Sequence, residues 1–155
     1  MCRNNMKKSI LLAVVLLVVS GCQERKASFI KRFDSQNDMK TTISKLKEQL
    51  PKHGLVLTSE FDEGKYANLL HRDKKLIFFT NPNASTDLMK CDAALSLEVP
   101  YKMAISKNYD GTVEVIYTNP EYWSLQYNVK DKNCLSIISK FAGVMNEMAS
   151  QITQK

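Results

Sequence analysis

The chain has 155 residues, of which 22 are lysine or arginine, 16 are aspartate or glutamate, four are cysteine and 44% are hydrophobic. This composition excludes a disordered, collagen-like or coiled-coil protein and predicts one globular domain. Because the first 21 residues contain three basic residues and no acidic one, the remainder has 19 basic and 16 acidic side chains, an excess too small to favour a nucleic-acid partner.

The amino-terminal segment combines a short basic stretch with an apolar run. Two lysines precede ten consecutive apolar residues at positions 10–19. A bilayer-spanning helix needs about 20 residues, so this run is too short to span a membrane, but it has the length of a signal-peptide core. We therefore predict a signal peptide over residues 1–21, and both Met1 and Met6 remain candidate start sites.

The apolar run ends in the residues VSGC at positions 19–22. Small residues directly before a cysteine resemble the bacterial lipobox, in which the cysteine sulfur receives a diacylglyceryl group and the chain is cleaved before the cysteine. The resemblance implies that Cys22 is lipidated and that its acyl chains, palmitate among them, anchor the protein in the membrane of the cell envelope. Gln23, rather than aspartate, follows this cysteine, which implies sorting to the outer membrane, facing the periplasm, if the host is Gram-negative.

A polar tether at residues 22–28 leads into strand and helix periodicities. The first helix has Met39, Ile43, Leu46 and Leu50 on one face, and Pro51 and Gly54 end it. The run LIFFT at 76–80 is apolar on both sides, which predicts a central strand covered on both faces. The predicted elements of this half are a strand at 28–34, a helix at 38–52, a strand at 55–61, a short helix or ordered loop at 64–72 and a strand at 76–80.

The second half contains the strongest local signal, a β-hairpin. Alternating apolar residues flank the Asp110-Gly111 turn and predict strands over 101–108 and 112–118. The other predicted elements are a turn at 81–83, a helix capped by Ser85 or Thr86, a helical turn from Pro120 through Trp123 and a last helix from about Asp131. The helix after the turn carries Leu88, Met89, Cys91 and Leu95. The last helix is predicted to bury Leu135, Ile138, Phe141, Ala142, Met145 and Ile152.

Strands that are mixed with helices and contain a hairpin predict an α+β fold. In the order β-α-β-β-α-β-β-α, about five strands form a mainly antiparallel sheet packed against helices. We expect a single domain over residues 29–153, which is long enough to bury one core.

Several segments resemble a known family. They are LIFFTNP at 76–82, Met89, Leu97, and the stretch from Val99 to Pro120 with its Asp110-Gly111 turn. Over about residues 28–150 the chain resembles the bacterial domain-of-unknown-function 302 family. The resemblance implies a curved antiparallel sheet, similar in outline to the TATA-binding-protein-like topology, and a homodimer, with no established activity. The chain departs from the family at Val99, where leucine is more usual. It also departs at residues 66–75, a segment that is shorter and more basic than the family pattern.

Two cysteines, Cys91 and Cys134, remain after lipidation of Cys22. In an oxidising envelope they can form a disulfide that closes a loop of about 44 residues and stabilises the fold by about 4 kcal/mol. The alternative is two unpaired cysteines, with Cys91 on the core face of its helix. No Cys-x-x-Cys motif lowers a thiol pKa here. A thiol-redox accessory protein or an envelope enzyme that uses these cysteines is nevertheless the alternative function.

Two clusters are candidate ligand sites. The first follows the LIFFT strand and consists of Asn81, Asn83, Ser85 and Thr86. This is a strand-to-helix junction, and free backbone N–H groups at the amino end of a helix can hold an anion or a carboxylate. The same side chains can instead only cap the helix. The second consists of Tyr117, Tyr122, Trp123 and Tyr127. Aromatic residues beside a polar loop suit a ligand wall or a partner interface, although they also fill the space between a hairpin and a helix.

Other motifs carry weaker signals. Ser44 and Lys47 match the Ser-x-x-Lys spacing of penicillin-recognising enzymes, but the partner motifs are absent, so we interpret them as a solvated helix face. Glu60, Asp62 and Glu63 are interpreted as a solvated turn, because paired catalytic carboxylates require a set separation across a cleft.

No catalytic residue, metal site or cofactor is predicted. His53 and His71 lie 18 residues apart and, with the two cysteines, lack the spacing of metal ligands. The sequence therefore predicts a lipid-anchored, non-catalytic module of the cell envelope that binds a small molecule or another envelope protein.

Overall fold

The computed structural model describes residues 28–63 and 73–155. Within these ranges the elements are β1 (Ile30–Ser35), α1 (Met39–Lys52), β2 (Val56–Asp62), β3 (Lys74–Thr80), α2 (Pro82–Cys91), β4 (Tyr101–Lys107), β5 (Val113–Thr118), α3 (Trp123–Gln126) and α4 (Lys132–Thr153), with 3-10 helices at Ala93–Glu98 and Pro120–Tyr122. The predicted signal peptide, the lipidated cysteine and the element predicted at 64–72 lie outside the described residues.

The strands form one antiparallel sheet in the order β1-β5-β4-β3-β2. This arrangement confirms the predicted α+β fold. The LIFFT strand is an interior strand, since β3 pairs with both β2 and β4, but the prediction that both of its faces are covered was wrong. On β3 the alternation separates buried Ile77 and Phe79 from half-buried Leu76 and Phe78, because only one face of the strand meets the helices.

The hydrophobic core lies between the sheet and the helices. Buried side chains of α4 are Ile138, Phe141, Ala142, Met145, Met148, Ala149, Ile152 and Thr153. From α1, Leu46 and Leu50 join this core, while Met39 and Ile43 are half-buried at its margin. Leu135 is 36% exposed, so its predicted burial was wrong: it lies in the first turn of α4, before the helix crosses the core.

Helix α2 begins earlier than predicted. The Asn81 side chain accepts hydrogen bonds from the backbone N–H of Asn83 and Ala84, at 3.1 and 2.9 Å, and Pro82 occupies the first turn. Proline fits this position because its missing N–H has no helical partner there. The turn predicted at 81–83 and the cap predicted at Ser85 or Thr86 were therefore wrong. The helix also ends at Cys91, so that Leu95 belongs to a separate 3-10 helix.

The sheet has two ends, which we name by their connections. The tether end comprises Phe29 before β1, both 3-10 helices, α3 and the start of α4. The hairpin end comprises the turn at 108–112 between β4 and β5, the start of α1 and the end of α4. Gly111, at the predicted turn, has a φ of +87°, a left-handed conformation that glycine adopts without strain. None of the helices in the described ranges combines the length and apolar character needed to cross a bilayer.

Candidate functional site

Cys91 and Cys134 form a disulfide bond at the tether end. Their Cα atoms are 5.8 Å apart, and the two residues are separated by 43 positions in the sequence. The bond joins the last residue of α2 to the first turn of α4. Asp131 caps that turn by accepting hydrogen bonds from the backbone N–H of Asn133 and Cys134, each at 3.0 Å. The bond therefore fixes the relative positions of two helices.

The first predicted ligand cluster is engaged within the domain. Asn81 caps α2, and the Thr86 hydroxyl donates to the Pro82 carbonyl at 2.8 Å. The buried Ser85 hydroxyl lies 3.1 Å from Thr80 Oγ1 and 3.3 Å from Tyr101 Oη. These contacts give the side chains a structural role in starting α2. Their binding of a ligand, with Asn83 as an exposed member, stays a prediction.

The second predicted cluster divides between the core and the surface. Trp123 is buried beside Tyr101 and Phe141, with ring centroids 5.9 and 5.7 Å away. Tyr117 is also buried and stacks on Phe33 at 6.1 Å. Both rings therefore contribute to the core.

Tyr122 and Tyr127 lie at the tether end instead. The Tyr122 ring meets Phe29 edge-to-face at 5.3 Å. The Tyr127 hydroxyl donates a hydrogen bond to Glu98 Oε1 at 2.6 Å, and this bond raises the pKa of Tyr127 to about 12. The bond ties the segment after α3 to the 3-10 helix Ala93–Glu98.

Two buried tyrosine hydroxyls differ in their partners, which gives a testable contrast. Tyr101 Oη pairs with Ser85, whereas Tyr117 Oη is buried with no hydrogen-bond partner in the described part of the chain. Burial raises the pKa of Tyr117 to about 12. We expect Tyr101→Phe to lower the free energy of unfolding by about 1 kcal/mol, and Tyr117→Phe to leave it unchanged or raise it.

Urea unfolding of the full-length protein in detergent, followed by circular dichroism, measures both variants. Because each variant loses a single oxygen from a buried ring, each serves as the control for the other. An equal loss of stability in the two variants would contradict the contrast.

A cleft of about 430 Å³ opens between α1 and the β2–β3 edge. Met39 and Ile43 contribute apolar surface. The remaining lining residues are polar or charged and are Lys40, Ser44, Lys47, Glu60, Asp62, Asp73, Lys74 and Lys75. Two lysines of the lining are paired: Lys47 Nζ lies 2.5 Å from Glu60 Oε1, and Lys74 Nζ lies 2.8 Å from Glu63 Oε2.

Four other charges of the cleft have no ion-pair partner among the described residues. Across residues 28–63 and 73–155, no ion pair includes Lys40, Asp62, Asp73 or Lys75. Two carboxylates and two ammonium groups therefore line one concave surface without a direct ion pair, with Asp62 and Lys75 opposite each other on β2 and β3. The cleft can accept a ligand that supplies the complementary charges.

Sequence reasoning missed this cleft because of a β-bulge in β2. Leu57 pairs with Phe79 and Glu60 pairs with Ile77, so the register shifts between positions 57 and 59. Strict alternation would direct Ser59 and Phe61 toward the helices, whereas the bulge directs Glu60 and Asp62 there instead. Glu60 and Asp62 were interpreted as part of a solvated turn. They thus line the same cleft as Ser44 and Lys47, which were interpreted as a solvated helix face. Within the described ranges, no group of three or more histidine, cysteine or acidic residues could hold a metal ion.

Comparisons with known proteins agree with this fold. The family model described as "Domain of unknown function DUF302" matches residues 31–152. The chain belongs to this family. A crystal structure titled "uncharacterized conserved protein DUF302 from Bacillus stearothermophilus" is similar to the DUF302 domain described above, with a TM-score of 0.71 and 18% sequence identity, over 81% of this chain and 99% of that one. No curated protein matches the chain.

The amino terminus has its own match. The model of the prokaryotic membrane lipoprotein lipid attachment site matches residues 6–23, which contain the VSGC segment. This DUF302 protein is therefore a lipid-anchored protein of the bacterial cell envelope.

Proposed function

We propose that this DUF302 protein is a non-catalytic binding module whose ligand occupies the charged cleft between α1 and the β2–β3 edge. The observation that carries the proposal is the set of four charges without ion-pair partners around the cleft, Lys40, Asp62, Asp73 and Lys75, all within the described residues. A volume of about 430 Å³ lies within the range of small-molecule pockets.

The lining defines the chemistry of the ligand. Lysines attract an anionic group and carboxylates attract a cationic one, so the complementary ligand is a small zwitterion. The exposed apolar surface of Met39 and Ile43 suits a short hydrocarbon segment between the two charged groups. Because the cleft is open to solvent, salt should weaken the binding.

Native mass spectrometry of the full-length protein, extracted from its own membranes in detergent, tests this proposal. We expect an additional small mass on the wild-type protein that denaturation releases. Asp62→Asn removes one charge of the cleft without changing its shape, so the additional mass should be lost. Asp87→Asn, at an exposed position on α2, is the matched control and should retain it. A wild-type protein without additional mass, or equal retention by both variants, would contradict a ligand in the cleft.

We also propose that the protein is a homodimer. Among the described residues β2 pairs only with β3, and its exposed residues from Val56 to Glu60 support this proposal. An edge strand has unpaired backbone groups that a second copy can pair with. The same native spectra should contain twice the chain mass, and Val56→Lys should reduce it to a single chain, while Leu125→Lys at the tether end should not.

The alternative function is an envelope enzyme or a thiol-redox accessory protein that uses Cys91 and Cys134. It requires that the Cys91–Cys134 bond opens and closes while the domain stays folded. We further infer an outer-membrane position facing the periplasm in a host with two membranes, which Gln23 after the lipidated Cys22 supports. Domain boundaries at 29 and 153 are supported by the start of β1 and the end of α4.

A further inference from the structure

We propose that the tether end of the domain rests on the bilayer surface, with Phe29, Leu97 and Leu125 in contact with lipid. Lipid anchoring alone fixes only the amino terminus near the membrane and leaves the orientation of the domain open. The positions of the exposed apolar side chains indicate which end of the domain faces the bilayer.

Leu97 and Leu125 are 76% and 77% exposed, the highest values among the large apolar side chains of the described residues. They belong to neighbouring segments, because the Tyr127 hydroxyl after α3 bonds to Glu98 of the 3-10 helix that contains Leu97. Phe29 is 46% exposed and contacts Tyr122, directly before α3. Three exposed apolar residues from separate parts of the chain therefore lie at the same end of the sheet.

The tether leads the chain to this end. Seven residues from Cys22 to Ser28 precede Phe29, and even a fully extended chain of that length reaches only about 25 Å. Helix α4 has 22 residues and extends about 33 Å from the tether end to the hairpin end. The lipidated cysteine thus keeps Phe29 within reach of the bilayer, while the far end of α4 lies beyond the length of the tether.

The charges at the tether end indicate whether contact with the bilayer requires anionic lipids. Lys130 and Lys132 are accompanied by Glu98, Glu121 and Asp131 in the same region. This mixture gives little net attraction to anionic lipids, so contact should depend on the apolar side chains. Leucine and aromatic side chains insert about 5–10 Å into the boundary between headgroups and acyl chains. Neutral phosphatidylcholine vesicles should therefore suffice, and salt should have little effect.

Site-specific fluorescence on the full-length, lipidated protein in phosphatidylcholine vesicles tests the proposal. Leu97→Cys and Leu125→Cys each introduce one free thiol for an environment-sensitive fluorophore, and labelling without reductant leaves the Cys91–Cys134 bond intact. Tyr109→Cys is the matched control, because Tyr109 is 70% exposed but lies at the hairpin end. All three positions are on the surface, so the fold should be preserved.

We expect lipids with a nitroxide on the acyl chain to reduce the emission at positions 97 and 125 by about twofold, and to change the emission at position 109 little. Flotation of the vesicles verifies the anchor, so a failure of docking is distinguishable from a failure of anchoring. Equal quenching at all three positions, or none at any, would overturn the proposal. Emission at 97 and 125 that changes with protein density, but not with the quencher, would overturn it in favour of contact with a second copy.

Discussion

Replacing both cysteines, in a Cys91→Ala/Cys134→Ala variant, should lower the free energy of unfolding by about 4 kcal/mol. The disulfide closes a loop spanning 43 positions of the chain, and cross-linking such a loop removes conformational freedom from the unfolded state. Urea unfolding of the full-length protein in detergent measures the loss. Since folded domains are typically stable by only about 5–15 kcal/mol, the variant should unfold at a much lower urea concentration.

Reductant supplies the control for the disulfide prediction. Wild-type protein unfolded in the presence of dithiothreitol should approach the stability of the double variant, and dithiothreitol should leave the double variant unchanged. A double variant as stable as the oxidised wild type would contradict a structural role for the bond.

The same bond separates the proposed binding function from its redox alternative. If glutathione opens the bond in the folded protein, iodoacetamide should label Cys91 and Cys134 under native conditions, which would support the alternative. If labelling requires denaturant, the cross-link is structural. Thiol–disulfide exchange depends on access of the attacking thiolate, so half-buried cysteines favour the second result.

The hairpin and helix α4 could be predicted because residues close together in the sequence determine their geometry. Asp110-Gly111 between alternating apolar residues fixes the hairpin, because a short glycine-containing turn and a period of two require no distant partner. Helix α4 was equally clear, since its apolar residues repeat at helical spacing over six turns. The start of α2 was missed because an Asn-Pro pair is common both in turns and at the first residues of a helix.

The candidate cleft could not be predicted, because it depends on tertiary structure. Glu60 and Asp62 reach it only through the bulge in β2, and a bulge has no reliable signature in a single sequence. Lys40 and Lys47 join them from α1, which approaches β2 only after the core has formed. In the same way, Trp123 could be assigned to a ligand wall or to the core only once its neighbours were known.

Trp123→Ala should lower the free energy of unfolding by about 3–5 kcal/mol, the usual cost of removing a large buried aromatic side chain. Trp123 packs against Tyr101 and Phe141, whose own ring centroids are 4.1 Å apart, so its removal leaves a cavity where β4, α3 and α4 meet. Circular dichroism in urea measures the effect, because the variant lacks the only tryptophan of the chain.

Leu125→Ala is the matched control for this prediction. It lies on the same short helix, two residues away, but is exposed, so its effect should stay within about 0.5 kcal/mol. Similar losses in the two variants would contradict the assignment of Trp123 to the core.

Trp123→Phe distinguishes packing from ligand contact. Phenylalanine restores most of the buried ring and should recover most of the stability, since the neighbours require an aromatic surface rather than an indole N–H. Because Trp123 is only 3% exposed, this variant should also keep any additional mass found on the wild type. Loss of that mass in Trp123→Phe, but not in Asp62→Asn, would transfer the ligand from the charged cleft to the aromatic cluster at the tether end.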